Sequence, residues 1–182
     1  MIYQKIIRNV TNLKQMFTKF EHVYNAITVR LRRKLLKMEK KPDISQITNQ
    51  IFVGGVSEIK LLFDAGIDSV LDLRMESSDD EKELEKYSMK YLRIRVSNRK
   101  IPNIIEAKKA LKWINDVIKN RGIIFIHCNL GRGRGPLFAC LYLINQGFTV
   151  EEAIKKVKDV RKYTYFNSHQ LKFLCDFFNE NQ

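Results

Sequence analysis

The spacing of apolar residues changes several times along the chain and predicts alternating strands and helices. Short continuous apolar runs rich in β-branched residues predict buried strands, and apolar residues that recur every three or four positions predict helices. The predicted strands span residues 44–48, 51–53, 69–72, 91–96 and 122–127. The predicted helices span residues 3–38, 57–65, 103–120, 135–146, 150–161 and 167–179. This alternation indicates an α/β fold with a central, mostly parallel twisted sheet flanked by helices.

The first predicted helix is basic and amphipathic, and it differs from the rest of the chain. Its apolar residues recur at alternating steps of four and three, which places them on one stripe: Ile6, Val10, Leu13, Phe17, Phe20, Tyr24, Ile27 and Leu31. Residues 1–41 contain eleven Lys and Arg residues against two Glu residues, whereas the whole chain of 182 residues has a net charge of +13. We therefore divide the chain into a helical extension, residues 1–41, and a globular domain, residues 43–182.

An apolar stripe of this size must be covered, and three coverings are open. The stripe can pack on the domain or on a second copy of the chain, which is the common fate of amphipathic helices. It can lie on an anionic membrane, which the basic cluster at residues 30–37 favours because each cation near an anionic leaflet adds about 1 kcal/mol of attraction. Only the net charge favours a nucleic acid, and no specific nucleic acid is expected as a partner.

The stretch from His127 to Arg134 carries the most informative chemistry. It connects the strand predicted at 122–127 to the next helix. In such a turn the loop amides and the positive end of the helix converge on one point and favour an oxyanion. These surroundings favour the thiolate form of Cys128. Arg134 offers a planar fork to two oxygens of a phosphoryl group, so the motif indicates a phosphatase.

With this motif the chain resembles the Cys-x5-Arg phosphatases, and within them the small dual-specificity-like tyrosine phosphatases. Residues 44–55 and 68–74 look like the first strands of that domain, and residues 160–174 look like its closing helices. The resemblance covers about residues 43–180, so that the domain is expected to be the catalytic one.

The resemblance implies a role for each residue of the motif. Cys128 is implied as the nucleophile that forms a phosphocysteine, and Arg134 as the clamp on the phosphoryl group. The phosphoryl oxygens are implied to bind the backbone amides of Asn129, Leu130, Gly131, Arg132, Gly133 and Arg134. His127 is implied to orient the loop and to help the thiolate. No metal is expected at His127, because no His, Cys or carboxylate cluster lies near it at ligand spacing along the sequence, and no cofactor is expected.

Two positions depart from the family pattern, and both concern turnover. The family has Ser or Thr after the loop arginine to assist breakdown of the phosphocysteine, whereas this chain has Gly135. The family also supplies an Asp as general acid from the loop that here spans residues 96–102 and contains no carboxylate. General acid catalysis is worth roughly 10²–10⁴-fold, and its loss slows alkyl phosphates more than aryl phosphates.

The general acid is therefore unknown, and three substitutes are weighed. Glu106 and the acidic run at residues 79–81 are expected to be solvated surface charge. Asp72 has two alternatives of equal weight: it holds Arg74 or a backbone turn, or it lies near the site.

Arg132 gives the loop a second arginine, although one is sufficient for a single phosphate. The Gly-Arg-x-Arg pattern is similar to that of the phosphatidylglycerophosphate phosphatases, and an additional cation suits a second phosphate or an anionic membrane. The alternative is that Arg132 points to solvent at the rim of the loop.

Cysteine usage indicates a reducing compartment. Cys140 and Cys175 are expected to be small buried hydrophobic residues on apolar helix faces rather than disulfide partners. We therefore expect a cytoplasmic protein and leave open a peripheral contact of residues 1–41 with a membrane surface.

The sequence most favours a protein tyrosine or dual-specificity phosphatase, and its substrate is then a phosphorylated protein. A phospholipid or phosphoinositide phosphatase is the second hypothesis, based on Arg132 and the basic extension. A phosphate-binding pseudophosphatase with weak or no turnover is the third. A phosphatase acting on RNA 5′ ends has only the net charge in its favour.

Overall fold

The computed structural model describes residue 20, residues 23–25 and residues 27–180. Residues 27–38 form a helix, α1, as predicted for the C-terminal part of the first helix. The other predicted helices and the strands all appear, with ends that differ from the prediction by at most two residues. Residues 1–19, which the prediction also included in this helix from residue 3, lie outside the described residues.

Five strands form one sheet with the predicted, mostly parallel character. They span Ile44–Gln46 (β1), Ile51–Gly54 (β2), Ser69–Arg74 (β3), Lys90–Val96 (β4) and Ile124–His127 (β5). The spatial order is β1-β2-β5-β3-β4, and only the β1–β2 pair within this sheet is antiparallel. β5 therefore lies at the centre of the sheet, and its carboxyl end opens beside the carboxyl ends of β2 and β3.

Helices after α1 cover the sheet. They span Ile59–Asp64 (α2), Glu81–Lys86 (α3), Ile104–Lys119 (α4), Arg134–Asn145 (α5), Val150–Val160 (α6) and Ser168–Asn179 (α7). The sequence analysis missed α3, whose Asp80 side chain accepts hydrogen bonds from the amides of Lys82 and Glu83 and so caps its first turn. An N-terminal cap of this kind satisfies amides that have no partner inside the helix.

The burial of the central strands and of α5 explains why their sequences are continuous apolar runs. Every residue of β3 and β5 is buried, and α5 is buried from Arg134 to Ile144. Strands covered on both faces lose the alternation of a half-exposed sheet. The helix that follows the stretch from His127 to Arg134 is therefore itself part of the core, which fixes the position of the loop at its start.

The helix α1 contacts the domain through a face other than its apolar stripe. Val29 is 2% exposed, Arg32 forms an ion pair with Asp43, and Arg33 Nη2 donates to the carbonyl of Val56 at 3.2 Å. The described stripe residues are instead exposed, at 51–69%: Phe20, Tyr24, Ile27 and Leu31. The described part of the stripe thus does not pack on its own domain, which was one of the coverings left open.

Candidate active site

Cys128 follows directly after β5, and the loop that begins there leads into α5 at Arg134. Because β5 is central and parallel to its neighbours, the loop lies at the carboxyl edge of the sheet, where α/β proteins bind their ligands. Cys128 is 4% exposed, and it lines a pocket of about 210 Å³ together with Arg134. The structure thus brings together the two residues that the motif singled out.

The carbonyl groups of the loop are held from outside. Asn129 O accepts from the amide of Val56 at 3.1 Å, and Arg132 O accepts from the amide of Tyr165 at 2.8 Å. Leu130 O and Gly131 O both accept from the guanidinium of Arg161. Since the C=O and N–H of a trans peptide unit point in opposite directions, the amides of residues 130–133 are directed away from these partners, toward the pocket.

Arg161 and Asp43 form a buried ion pair that supports the loop, and the sequence analysis missed both roles. Arg161 is 1% exposed and Asp43 is 3% exposed, and Arg161 Nη2 donates to Asp43 Oδ2 at 3.0 Å. Asp43, the first residue of the predicted domain, also accepts from the amide of Gly55 and from Arg32. Burial opposes ionisation of Asp43, but Arg161 and Arg32 outweigh this effect and lower its pKa.

Gly131 makes the close approach of Arg161 possible. Its φ of 62° lies in the left-handed region that residues with a side chain rarely adopt. A Cβ atom at this position would lie 2.3 Å from Arg161 Nη2 and 2.3 Å from the carbonyl carbon of Gly54. Glycine is therefore required here by both conformation and space.

Glu76 holds the guanidinium of Arg134 in place. Nη1 and Nη2 of Arg134 donate to the two carboxylate oxygens of Glu76 at 2.8 and 2.7 Å, and Nη1 also donates to the carbonyl of Val96 at 2.9 Å. Burial disfavours the charge of Arg134, but the bonds to Glu76 and the neighbouring Cys128 raise its pKa. The pKa of Glu76 falls to about 2, chiefly because of its hydrogen bond with Arg134.

Sequence reasoning did not single out Glu76. The available signal was its place two residues beyond the carboxyl end of β3, at the edge where the sheet collects its functional groups. Its low pKa keeps it ionised at neutral pH, which suits an anchor for Arg134 and not a proton donor.

His127 lies in a buried polar cluster, which corrects the expectation that no carboxylates surround it. His127 Nε2 lies 2.8 Å from a carboxylate oxygen of Asp79 and 3.8 Å from one of Asp72. The guanidinium of Arg74 donates to both Asp72 and Asp79, at 2.8 and 2.5 Å, so a cation already pairs with both carboxylates. Strand order brings β3 beside β5, and spacing along the sequence could not show this.

The proposed substitutes for the general acid lie elsewhere. Asp72 accepts from Arg74, which is one of the two alternatives given for it. Asp79 contacts His127, and its side chain is 8% exposed, whereas the sequence predicted solvated surface charge. Glu106 lies in the first turn of α4. Among the described residues that line the pocket, Glu76 is the sole carboxylate, and the loop after β4 contributes Asn98 and Arg99.

Gly135 is packed tightly at the start of α5. A Cβ atom there would lie 3.2 Å from Val53 Cγ1 and 3.3 Å from the carbonyl of Ile126. A serine would therefore require its neighbours to shift by a few tenths of an ångström. The departure from the family pattern at this position is thus consistent with the local packing.

The mouth of the pocket is basic. Arg30 from α1, Arg99 and Arg132 all line it. Arg132 Nε donates to the carbonyl of Tyr163 at 3.2 Å, so Arg132 is held at the pocket rather than projecting from the rim. Burial, followed by the charges of Arg99 and Arg30, lowers the pKa of Arg132.

The remaining cysteines differ from each other. Cys140 is fully buried in α5, as expected, and burial raises the pKa of its thiol to about 12. Cys175 is exposed on α7, so the expectation of a buried residue is wrong there. Leu174 and Phe177 are buried in α7, whereas Cys175 lies outside this buried face.

One loop at the carboxyl edge of a five-stranded sheet begins with a thiol and ends with a buried arginine. This arrangement is typical of the tyrosine phosphatase class. Residues 51–180 match the family described as "Dual specificity phosphatase, catalytic domain". The chain belongs to this family, and it is a phosphatase.

Individual relatives agree with this assignment. "Probable protein tyrosine phosphatase type IVA B" of Dictyostelium discoideum is 39% identical over 59 residues, which are 32% of this chain and 36% of that protein. The crystal structure of PTPMT1 is 21% identical, covers 76% of this chain and 95% of its own, and superposes with a TM-score of 0.69. Human DUSP28 is 15% identical, with coverages of 76% and 95% and a TM-score of 0.68. At these identities the two structures show the shared fold.

Proposed function

We propose that this phosphatase uses Cys128 as its nucleophile and that its substrates are proteins phosphorylated on tyrosine and, to a lesser extent, on serine or threonine. The supporting observation is the convergence on one pocket of the Cys128 thiol, the anchored Arg134 and four loop peptides whose carbonyls are bound from outside. The amides and the guanidinium would bind the phosphoryl oxygens, and the N-terminus of α5 adds its partial positive charge.

The reaction proceeds in two displacements. In the first, the Cys128 thiolate attacks phosphorus, an S–P bond forms, and the ester P–O bond breaks with its electron pair going to the leaving oxygen, which takes a proton from water. In the second, water attacks phosphorus, the S–P bond breaks, and inorganic phosphate, the thiolate and one proton are released. The loop amides and Arg134 stabilise the charge on the phosphoryl oxygens in both steps.

The lining of the pocket favours aryl over alkyl phosphates. Glu76 is ionised and bound to Arg134, and Asn98 and Arg99 occupy the loop from which the family supplies its acid. A leaving group that needs no proton then reacts fastest, and a phenolate fulfils this condition better than an alkoxide. Without a hydroxyl at Gly135, breakdown of the phosphocysteine is expected to limit turnover.

Rapid mixing with a chromogenic aryl phosphate tests this proposal. We expect a burst of phenol release, one equivalent per active site, followed by slow turnover. Cys128→Ser should abolish both phases, whereas Cys175→Ser, which removes an exposed thiol, should leave both intact. Wild-type rates equal to those of Cys128→Ser would favour the phosphate-binding pseudophosphatase instead.

Gly135→Ser tests the slow second step. The serine should raise the steady-state rate about tenfold, less than the roughly 10²–10⁴-fold of full general acid–base catalysis, and reduce the burst amplitude. Gly135→Ala adds the same Cβ atom without a hydroxyl and is the matched control. A gain in both variants would show that packing, and not the hydroxyl, governs the step.

A phospholipid or phosphoinositide phosphatase is the second candidate, because α1 presents an exposed apolar stripe beside basic residues and Arg132 lines the pocket. PTPMT1 has been crystallised in complex with PI(5)P. The Gly-Arg-x-Arg loop of this chain, Gly131–Arg134, supports the same hypothesis. Anionic phospholipid would then be the substrate, and residues 1–41 would contact the membrane surface.

Vesicles distinguish the two candidates. A lipid phosphatase should release phosphate faster from phosphatidylinositol phosphate in anionic vesicles than from a soluble phosphotyrosine peptide. Ile27→Ser combined with Leu31→Ser should slow only the vesicle reaction, because both side chains are exposed and make no part of the pocket. A preference for the peptide that these changes do not alter would exclude the lipid candidate.

A cytoplasmic location remains part of the proposal. The three cysteines are free thiols, as is usual in a reducing compartment. Among the described residues, no helix is both long and apolar enough to cross a membrane.

A further inference from the structure

A groove of about 490 Å³ lies between α1 and the start of α2. Its other wall is the loop before α2 and the first turn of that helix, from Val56 to Leu61. We propose that this groove, the α1 groove, binds an acidic segment of the phosphoprotein substrate next to the phosphorylated residue. The inference deepens the proposed function and rests on it for the phosphoryl group in the pocket. The α1 side of the groove carries five cations: Arg30, Arg33, Lys34, Lys37 and Lys41.

The α1 groove adjoins the catalytic pocket. Arg30 lines both cavities, so they meet at this side chain. Val56 connects them through its backbone, because its amide donates to the carbonyl of Asn129 in the catalytic loop at 3.1 Å and its carbonyl accepts from Arg33 Nη2 at 3.2 Å. The catalytic loop, the wall of the groove and α1 are therefore held in one arrangement. A substrate bound in the pocket has the groove beside it.

The charges of the α1 groove favour an acidic ligand. Asp43 and Glu58 are the two carboxylates among the described residues that line it. Asp43 is 3% exposed and is bound by two arginines, so its charge is already compensated. Lys41 is paired with Glu39, and the other cations of the groove still outnumber its exposed carboxylate, Glu58. A segment that carries carboxylates therefore meets an excess of positive charge, which also steers its approach.

The spacing of the cations fits a short extended peptide. Arg30, Lys34 and Lys37 follow one another at steps of four and three, which places them in one row along α1. A helix rises about 1.5 Å per residue, so this row is about 10 Å long, and an extended chain covers that distance in about three residues. The row starts at the pocket with Arg30, whereas Lys34 and Lys37 line only the groove. We therefore expect recognition of carboxylates within about four residues of the phosphorylated one.

The shape of the α1 groove fits a peptide better than a membrane. The groove is a concave space between two elements of the protein, and its wall includes the apolar side chains of Leu36, Val56 and Leu61 beside the cations. Such a wall suits the mixed polar and apolar surface of a peptide, whereas a bilayer contacts an apolar helix face that protrudes. The exposed apolar residues Ile27 and Leu31 do not line the groove, so the surface suited to a bilayer lies on another face of α1.

Phosphotyrosine peptides of equal length test the α1 groove. One peptide carries glutamates at the four positions before the phosphotyrosine, a second carries them at the four positions after it, and a third carries glutamines at all of these positions. We expect one acidic peptide to have a kcat/KM about tenfold above that of the glutamine peptide at low ionic strength. Lys34→Ala combined with Lys37→Ala should reduce this preference about fivefold, as the loss of two exposed ion pairs does.

Lys109→Ala combined with Lys112→Ala is the matched control. Both are exposed lysines of α4 with the same spacing of three, and they line neither cavity. This control removes the same net charge and should leave the preference unchanged. Glu58→Gln should act in the opposite direction and raise the preference about twofold, because it removes the exposed carboxylate of the groove. The side chain of Glu58 makes no capping bond to α2, so the substitution removes no contact of that helix.

Two results would overturn the peptide groove: neither acidic peptide is preferred over the glutamine peptide, or the α4 variant loses as much of the preference as the α1 variant. Phosphatidylserine vesicles are the third probe. Vesicle binding that is lost with Lys34 and Lys37, in the absence of any peptide preference, would assign these cations to a membrane surface instead. Failure of the proposed function would be seen separately, as the absence of an aryl phosphate burst while Cys128→Ser still binds an acidic peptide selectively in calorimetry.

Discussion

Two sets of arginines surround the candidate active site, and they differ in their burial and in their place in the site. The inner arginines, Arg74, Arg134 and Arg161, are at most 5% exposed, and each is paired with a buried or anchored carboxylate. The mouth arginines, Arg30, Arg99 and Arg132, come from three separate parts of the chain and line the mouth of the pocket. The inner set therefore stabilises the structure of the site, whereas the mouth set makes the entrance to the pocket basic.

The largest effect is expected where the inner set is broken at Asp43. Asp43→Asn leaves Arg161 without its buried counter-charge, and breaking such a pair costs about 3–5 kcal/mol of unfolding free energy. Chemical denaturation should show this loss, and aryl phosphate turnover should fall with it because Arg161 holds two carbonyls of the loop. Asp64→Asn breaks the exposed ion pair with Lys60 and should lower the free energy of unfolding far less, because solvent screens exposed ion pairs. Equal losses of unfolding free energy in the two variants would contradict the distinction between the buried and the exposed ion pair.

The next largest effect is expected at Glu76. Glu76→Gln keeps the shape but removes the charge that holds Arg134, and kcat/KM for an aryl phosphate should fall about tenfold. Because the pKa of Glu76 is lowered to about 2 from 4.5, its stabilising contribution is complete above about pH 4.5 and is lost as the pH falls toward 2. The stability difference between wild type and Glu76→Gln should therefore shrink across this acidic range, as followed by denaturation at several pH values. A difference that stays constant from pH 5 to pH 2 would exclude the ion pair as its source.

A smaller effect, of opposite sign, is expected at the mouth. Arg99→Gly suits the left-handed conformation, and it should raise the free energy of unfolding by up to about 1 kcal/mol. Arg99→Ala, which keeps a Cβ atom, should show no such gain in stability. Chemical denaturation of the two variants and of wild type measures this difference. A loss of stability in both variants would assign Arg99 to the inner, structural set.

The smallest effect is expected from salt. Raising the ionic strength from about 0.01 M to about 1 M shortens the screening length from about 30 Å to about 3 Å, and it should raise the KM for an anionic aryl phosphate severalfold because the mouth of the pocket is basic. Arg30→Ala should show a shallower salt dependence than wild type. Lys34→Ala should match wild type, and a shallower slope in that variant as well would indicate a general effect of net charge.

The sequence was sufficient for features that are local along the chain. The strand, loop and helix around Cys128 and Arg134 follow from a contiguous pattern. The alternation of elements likewise predicted the mostly parallel sheet. In each case the interacting groups lie within a few residues of one another.

The parts that sequence reasoning missed depend on distant residues. Arg134 and Glu76 are 58 positions apart, and Arg161 and Asp43 are 118 positions apart. Only the order of the strands brings such partners to one edge, and an isolated Asp or Glu in a loop is usually solvated. For the same reason Asp79 was expected to be exposed, although it contacts His127.

The place of Asp43 and Arg30 in the chain has a consequence for what counts as the functional unit. The match to the family begins at residue 51, after both residues. A chain shortened to that boundary would lack the counter-charge of Arg161, the strand β1 and the cation that α1 brings to the pocket. The segment before residue 51, which the family match does not include, therefore contributes residues that hold the loop and line the pocket. Comparative studies of the family should treat this segment as part of the enzyme.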